Sequence, residues 1–241
     1  MSGADTVAVP ERDPETGLRK TGVALLRGIF AHNSLNKLKD AAERCFEAVE
    51  SDGSLAERHR FNRFSHSVPL SALAEFGCDS QELTAPLSAP EFSELFAEAI
   101  GSTWACRMEH SWVRKKFAPA QAPGYHAQGW HQDGALGVQF PQQAGPMPPM
   151  TELLTCWIPL QACGADSPGL EFVRGQQRSL LRFTELDDAA LRKRFAPQEF
   201  WTPELEFGDC LVFLNSVLHR TYTHPEMRRN RLSVEYRIFP R

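Results

Sequence analysis

From residue 104 onward the chain is a succession of short apolar runs cut apart by glycine, proline and aspartate, and this rhythm restricts the fold more than any other feature. The runs cover residues 104–117, 153–160, 170–173, 204–207, 210–214 and 232–239, and each reads as a strand between turns. One helical pattern, about 185–195, interrupts them. Ahead of them, residues 21–30 read as a strand. Asn33 and Ser34 offer N-caps for a helix through about Val49, whose apolar positions Leu35, Leu38, Ala42, Cys45, Phe46 and Val49 step by three and four. A second helix, 90–100, has a capping-box pattern in Ser88 and Glu91 and a stop at Gly101. Helices first, then many short strands, predicts a mainly β protein with flanking helices: a β-barrel or jelly roll with helices packed on one outer face. The whole of 1–241 reads as one domain, with 1–101 the mainly helical part and 102–241 the barrel.

Several function classes drop out on composition. A formal net charge of −4 and a pI near 6.1 do not suit a protein that grips nucleic-acid phosphates. No apolar stretch approaches the ~18 residues of a membrane helix. The first 19 residues are polar, with no apolar signal core, and the first nine read as a frayed terminus. The six cysteines form no CxxC pair, so they read as reduced, mostly buried thiols of a cytoplasmic protein. Residues 134–150, with three glycines and four prolines, read as a lid or binding loop.

His131 and Asp133, in WHQDG, sit two apart, so on an extended segment both side chains face one side. His219 lies just beyond the apolar run 210–214, on a segment that a jelly roll can bring alongside. Two histidines and one carboxylate on one face of a metal form the facial triad of non-haem Fe(II) oxygenases. Spacing alone leaves a structural role open for each. His224 is a rival third ligand, but it precedes a proline in a charged, turn-like stretch and reads as rim. Arg231 and Ser233 open the last strand, again two apart; a guanidinium fork and a hydroxyl suit a carboxylate. Arg228, Arg229 and Arg237 crowd the same region, so a solvated charge is the competing reading for Arg231.

WHQDG, the run ending in WIPL, then SPGLEFV, GDCLVFLNSVLH and RLSVEYR resemble, in order and spacing from Val113 to Tyr236, the phytanoyl-CoA dioxygenase-like branch of Fe(II)/2-oxoglutarate-dependent dioxygenases. The resemblance implies a double-stranded β-helix (jelly roll, cupin-like). It implies His131, Asp133 and His219 as iron ligands and Arg231 on the distal carboxylate of 2-oxoglutarate, with Ser233 beside it. Thr221 matches a position that often carries a helper hydroxyl, and Lys116 falls near one that contacts the co-substrate. Arg174-Gly175-Gln176-Gln177 stands where the family usually has a Pro-Gly-Ser-His turn, a departure away from the ligand positions. The intact Asp133 argues against halogenating relatives.

The implied activity is that of a hydroxylase acting with Fe(II), 2-oxoglutarate and O2 on an unactivated carbon of a small molecule, with succinate and CO2 as co-products. Arg58, Arg60, Arg63, Trp157 and the 134–150 loop are pocket candidates, which suits an anionic or zwitterionic substrate. The competing readings are a non-redox jelly-roll ligand-binding protein and a metal hydrolase, in which Arg231 and Ser233 have no evident job.

Overall fold

The computed structural model describes residues 11–12, 17–122, 124–141 and 145–241 of the chain. The expected frayed terminus lies outside the described residues. Among those described there are eleven strands: β1 (Glu11–Arg12), β2 (Val23–Arg27), β3 (Ser67–Pro69), β4 (Trp104–Cys106), β5 (Trp112–Lys116), β6 (Leu154–Pro159), β7 (Gly169–Val173), β8 (Phe200–Trp201), β9 (Cys210–Leu214), β10 (Leu218–Tyr222) and β11 (Arg231–Pro240). The α-helices are α1 (Leu18–Thr21), α2 (His32–Ser51), α3 (Gly53–Arg58), α4 (Ser80–Thr84), α5 (Pro90–Ile100) and α6 (Asp188–Arg194). None is long and apolar enough to cross a membrane.

The strands make two antiparallel sheets. The large one runs β1-β2-β9-β6-β11-β5-β3, with β4 also paired to β11; the small one runs β10-β7-β8. Every strand of the large sheet's centre is buried on both faces, and strand alternation assigns the two sets. On β11, Leu232, Val234, Tyr236 and Ile238 join the helix-side core, together with Leu154, Cys156 and Ile158 of β6 and Cys210 and Val212 of β9. The helical face they meet is the one read from the sequence: Leu35, Leu38, Ala42, Cys45, Phe46 and Val49 of α2 all belong to that core. The opposite set, Val23, Leu25, Trp157, Leu211 and Phe213, packs against Leu170 and Phe172 of the small sheet. Burying each such aliphatic or aromatic side chain is worth about 1.5–3 kcal/mol. A jelly roll is the result, with helices on the outer face of the large sheet and α6 outside the small one, where Leu191 meets Val173 and Leu218.

Local readings differ at several points. The run 104–117 is two strands, because Met108–His110 forms a 3₁₀ turn between them. The run 204–207 is no strand: Leu205 makes an isolated bridge to Cys163, and β8 takes the place beside β7 instead. Neither expected N-cap holds. The cap of α2 is Ala31, and α5 begins at Ala89 with Pro90 in its first turn, while the Ser88 hydroxyl donates to the Ala85 carbonyl at 2.6 Å. Proline at the first helical position needs no donor partner, which makes the cap dispensable. The 134–150 loop, where described, has a 3₁₀ turn at Asp133–Ala135 and is otherwise irregular; residues 142–144 lie outside the description. All six cysteines are free thiols, five of them buried.

Candidate active site

His131 and His219 are brought together by the backbone. The His131 amide donates to the His219 carbonyl at 2.9 Å and the reverse bond is 3.0 Å, a bridge between β10 and the segment before the 3₁₀ turn. Gln132, facing away between His131 and Asp133, pins that segment: its amide donates to the carbonyls of Ser216 (3.0 Å) and Ser179 (3.2 Å), and its oxygen accepts from the Leu181 amide (2.8 Å). Gly134 then allows close approach. A Cβ there would sit 3.0 Å from Met150 Cβ and 3.1 Å from the Asn215 carbonyl oxygen.

The result is one cluster. Ligand atoms of His131, Asp133 and His219 lie within 4.8 Å of one another; His131 Nε2 is 3.9 Å and His219 Nε2 3.8 Å from the Asp133 carboxylate. His131 Nδ1 lies 2.9 Å from the Gly129 carbonyl and His219 Nδ1 3.1 Å from that of Val217. Only an N–H satisfies a carbonyl, so both Nδ1 atoms carry the proton and both Nε2 atoms are unprotonated. Gln128 donates to His131 Nε2 at 3.0 Å. Burial, and then the His219 ring, lowers the His131 pKa, so that ring is neutral at physiological pH; the 27% of its side chain facing the mouth does not change the direction. Burial lowers His219 as well. Burial alone would raise Asp133, but the Arg237 guanidinium and the Thr155 hydroxyl outweigh it and keep the carboxylate ionised. Neutral imidazoles and a carboxylate are the protonation states that a divalent metal requires of its ligands, and both histidines have the outer hydrogen bonds that orient a ligand. The donor set therefore fits Fe(II). His224 is not part of it; its Nε2 lies 2.9 Å from the Ala165 carbonyl.

A narrow cavity adjoins the cluster. Arg231 lines it, only 1% exposed, with its guanidinium 4.9 Å over the Trp157 ring and one long contact, 3.4 Å, to the Gly169 carbonyl. Arg231 Nε, Ser233 Oγ, Trp157 Nε1 and Tyr125 Oη are all buried without a hydrogen-bond partner among the described residues. An unpaired buried guanidinium is costly unless an anion joins it. A carboxylate would satisfy the orphaned guanidinium of Arg231 in the cavity wall, so the residues present fit 2-oxoglutarate. Lys116 and Thr221 line the same cavity; Lys116, 1% exposed, donates to the Ser65 carbonyl at 2.8 Å. Trp157 is both core and wall. Arg58, Arg60 and Arg63 are exposed and none lines this cavity.

Arg237, read from the sequence only as one of several crowding charges, is the main surprise. Its Nη2 donates to Asp133 Oδ1 at 2.9 Å and to Glu235 at 3.3 Å, while Arg114 holds Glu235 at 2.7 Å. Thr155 donates to the other Asp133 oxygen. The signal was present: Arg231, Ser233, Glu235 and Arg237 are alternate residues of one strand, all on the inward face.

The family model described as phytanoyl-CoA dioxygenase (PhyH) matches residues 18–229. No curated protein matches the chain by sequence. Similar solved structures include the non-haem alpha-ketoglutarate-dependent epimerase SnoN from nogalamycin biosynthesis (17% identity, TM-score 0.61, covering 92% of this chain and 80% of that one). The carbocyclase SnoK from the same biosynthesis is similar too (14%, TM-score 0.62, 97% and 87%), as is the apoform of EctD from S. alaskensis (15%, TM-score 0.62, 98% and 82%). At these identities the likeness establishes the shared fold.

Proposed function

The chain belongs to the phytanoyl-CoA dioxygenase family, a family of Fe(II)/2-oxoglutarate-dependent oxygenases, and from that premise we propose that it hydroxylates an unactivated carbon of a small molecule at the His131–Asp133–His219 cluster. The observation that carries this reading is the cluster itself: three donor atoms within 4.8 Å, drawn from two segments, each in the protonation state that a metal needs.

His131, Asp133 and His219 would hold Fe(II). Arg231, with Ser233 and Thr221 near it and Lys116 beside it on the paired strand β5, would take the distal carboxylate of 2-oxoglutarate and orient the co-substrate. Fe(II) with O2 and 2-oxoglutarate supplies the oxidising chemistry, with succinate and CO2 as co-products. Phe213 and Phe172, with ring centroids 4.7 and 5.9 Å from that of His219, wall the cluster and exclude water. Thr155 and Arg237 hold the Asp133 carboxylate so that its orientation survives turnover. SnoN and SnoK are described as an epimerase and a carbocyclase, so hydroxylation is the outcome that the experiment must separate from epimerisation and ring closure.

The test is a small-molecule library scored by succinate release with Fe(II) and 2-oxoglutarate in air, with products identified by mass. A hit gaining one oxygen, lost in His131→Ala, supports the reading. A hit with unchanged mass or two hydrogens fewer replaces hydroxylation. A protein that binds library members but never releases succinate is a ligand-binding jelly roll.

A further inference from the structure

The walls of the cavity beside the metal cluster are strongly cationic. Arg114, Lys116, Arg231 and Arg237 line it, against Glu235 in the wall and Asp133 in the cluster. Four cations face two acids. Fe(II) and the 2-oxoglutarate dianion cancel one another's charge, so a fully loaded site keeps two positive charges in a region of low dielectric.

Three of the four cations have work to do. Arg114 is bound to Glu235 at 2.7 Å, Lys116 donates to the Ser65 carbonyl, and Arg231 stands where the co-substrate's distal carboxylate is read to bind. Arg237 is different. Its Nη2 serves Asp133 and Glu235, but its Nη1 is buried and has no hydrogen-bond partner among the described residues. Arg237 is 6% exposed, so this is not a charge awaiting solvent. A guanidinium nitrogen kept dry and unpaired is expensive, and a carboxylate is the partner that its planar fork fits best.

We propose that Arg237 is a specificity-determining residue: its free Nη1 binds a carboxylate of the substrate being oxidised, so the enzyme acts on small carboxylic acids. The inference rests on the oxygenase reading above and narrows its substrate class. An acid placed there docks beside the ligand set rather than at the rim, and it offsets the remaining charge. A neutral isostere leaves Nη1 unpaired and is rejected, the kind of discrimination that a buried polar group provides.

The test uses the full chain loaded with Ni(II) and saturating 2-oxoglutarate, so that no turnover occurs. Matched acid and amide pairs (propanoate and propanamide, benzoate and benzamide, indole-3-acetate and indole-3-acetamide) are titrated by calorimetry and by saturation-transfer NMR. At least one acid is expected to bind tenfold or more tightly than its amide. Arg237→Gln should erase that preference. Arg237→Lys, which keeps the charge but not the fork, should reduce it. Because Arg237 also holds Asp133, both variants are titrated at saturating Ni(II), and a loss shared by an acid and its amide is divided out by taking the ratio of the two affinities. Equal binding of acids and amides across the set overturns the proposal, as does a preference that survives in Arg237→Gln. Weakened 2-oxoglutarate binding with the acid preference intact assigns Nη1 to the co-substrate instead and also overturns it. If the wild type binds no 2-oxoglutarate at all, the parent oxygenase reading fails first, and the two failures are thereby distinguished.

Discussion

The imidazoles of His131 and His219 stand with ring centroids 4.1 Å apart because their own backbones form the bridge that joins the two segments. Two hydrogen bonds thus set the separation of two ligands that are 88 positions apart in the chain. Side-chain bonds to Gly129 and Val217 then turn both Nε2 atoms the same way. The cluster is a property of main-chain geometry first and of side chains second, and perturbing the backbone there should cost metal before it costs fold.

Gly134→Ala tests that ordering. The added Cβ meets Met150 Cβ at 3.0 Å and the Asn215 carbonyl at 3.1 Å, next to Asp133. Metal affinity should fall at least tenfold in an equilibrium titration while the large sheet's circular-dichroism signature is kept. Gly164→Ala is the contrast. At φ +101, with Pro203 O 2.5 Å from the built Cβ, it should lower the melting temperature without altering affinity in the folded fraction.

Thr155→Val removes the hydroxyl that donates to Asp133 while conserving volume. Loss of such an outer partner typically costs 10–100-fold in metal affinity. A competition titration with a metal chelator reads the change, and unchanged affinity would show that Arg237 alone suffices to orient the carboxylate.

Arg231→Met should act in opposite directions on the free protein and on the complex. Without a dicarboxylate, the buried guanidinium lacks an anionic partner among the described residues, so a methionine of similar bulk should leave the melting temperature equal or higher. The rise in melting temperature that 2-oxoglutarate confers on the wild type should vanish. Arg231→Lys keeps the charge but not the fork and should fall between. A full ligand-induced shift in Arg231→Met would dismiss Arg231 as the anion partner.

Lys116 makes co-substrate binding pH-dependent. Burial, then the charges of Arg114 and Arg231, hold its amine down at about 7 against the ordinary 10.5. Between those values the unfolded chain binds the extra proton, so this group makes stability rise with pH from about 7 to 10.5 and contributes no slope below. A bound dicarboxylate favours the charged amine. At pH ~8, calorimetry in buffers of different ionisation enthalpy should therefore show proton uptake on binding 2-oxoglutarate, and Lys116→Met should show none. Binding without uptake in the wild type removes Lys116 from the co-substrate contacts.

Much of this was legible in the sequence, for physical reasons. Strands whose burial is decided by apolar side chains, β6, β9 and β11, announce themselves, as does the apolar stripe of α2. β10 does not. It reads LHRTY, with His219 and Thr221 facing the cavity and Arg220 bound to Glu171 at 2.7 Å on the other side, so chemistry and ion pairing occupy the positions where a strand would show hydrophobic residues. The short run 204–207 has the opposite fault: apolar alternation without a partner strand beyond the single Cys163 bridge. At the site, the HxD spacing and the Arg231-x-Ser233 pair could be read because they are local. Thr155 and Gln128 could not, since only pairing in space brings them to Asp133 and His131. Arg237 could have been found by carrying the period-two reading of β11 six residues further.

The central claim is met most directly by adding Fe(II) and 2-oxoglutarate to the metal-free protein under strict anaerobiosis and recording the visible spectrum. The account predicts a weak metal-to-ligand charge-transfer band that requires both additions, is lost in His219→Ala and is strongly weakened in Arg231→Met. A wild-type spectrum with no such band at saturating concentrations, or a band of full intensity in His219→Ala, would contradict it.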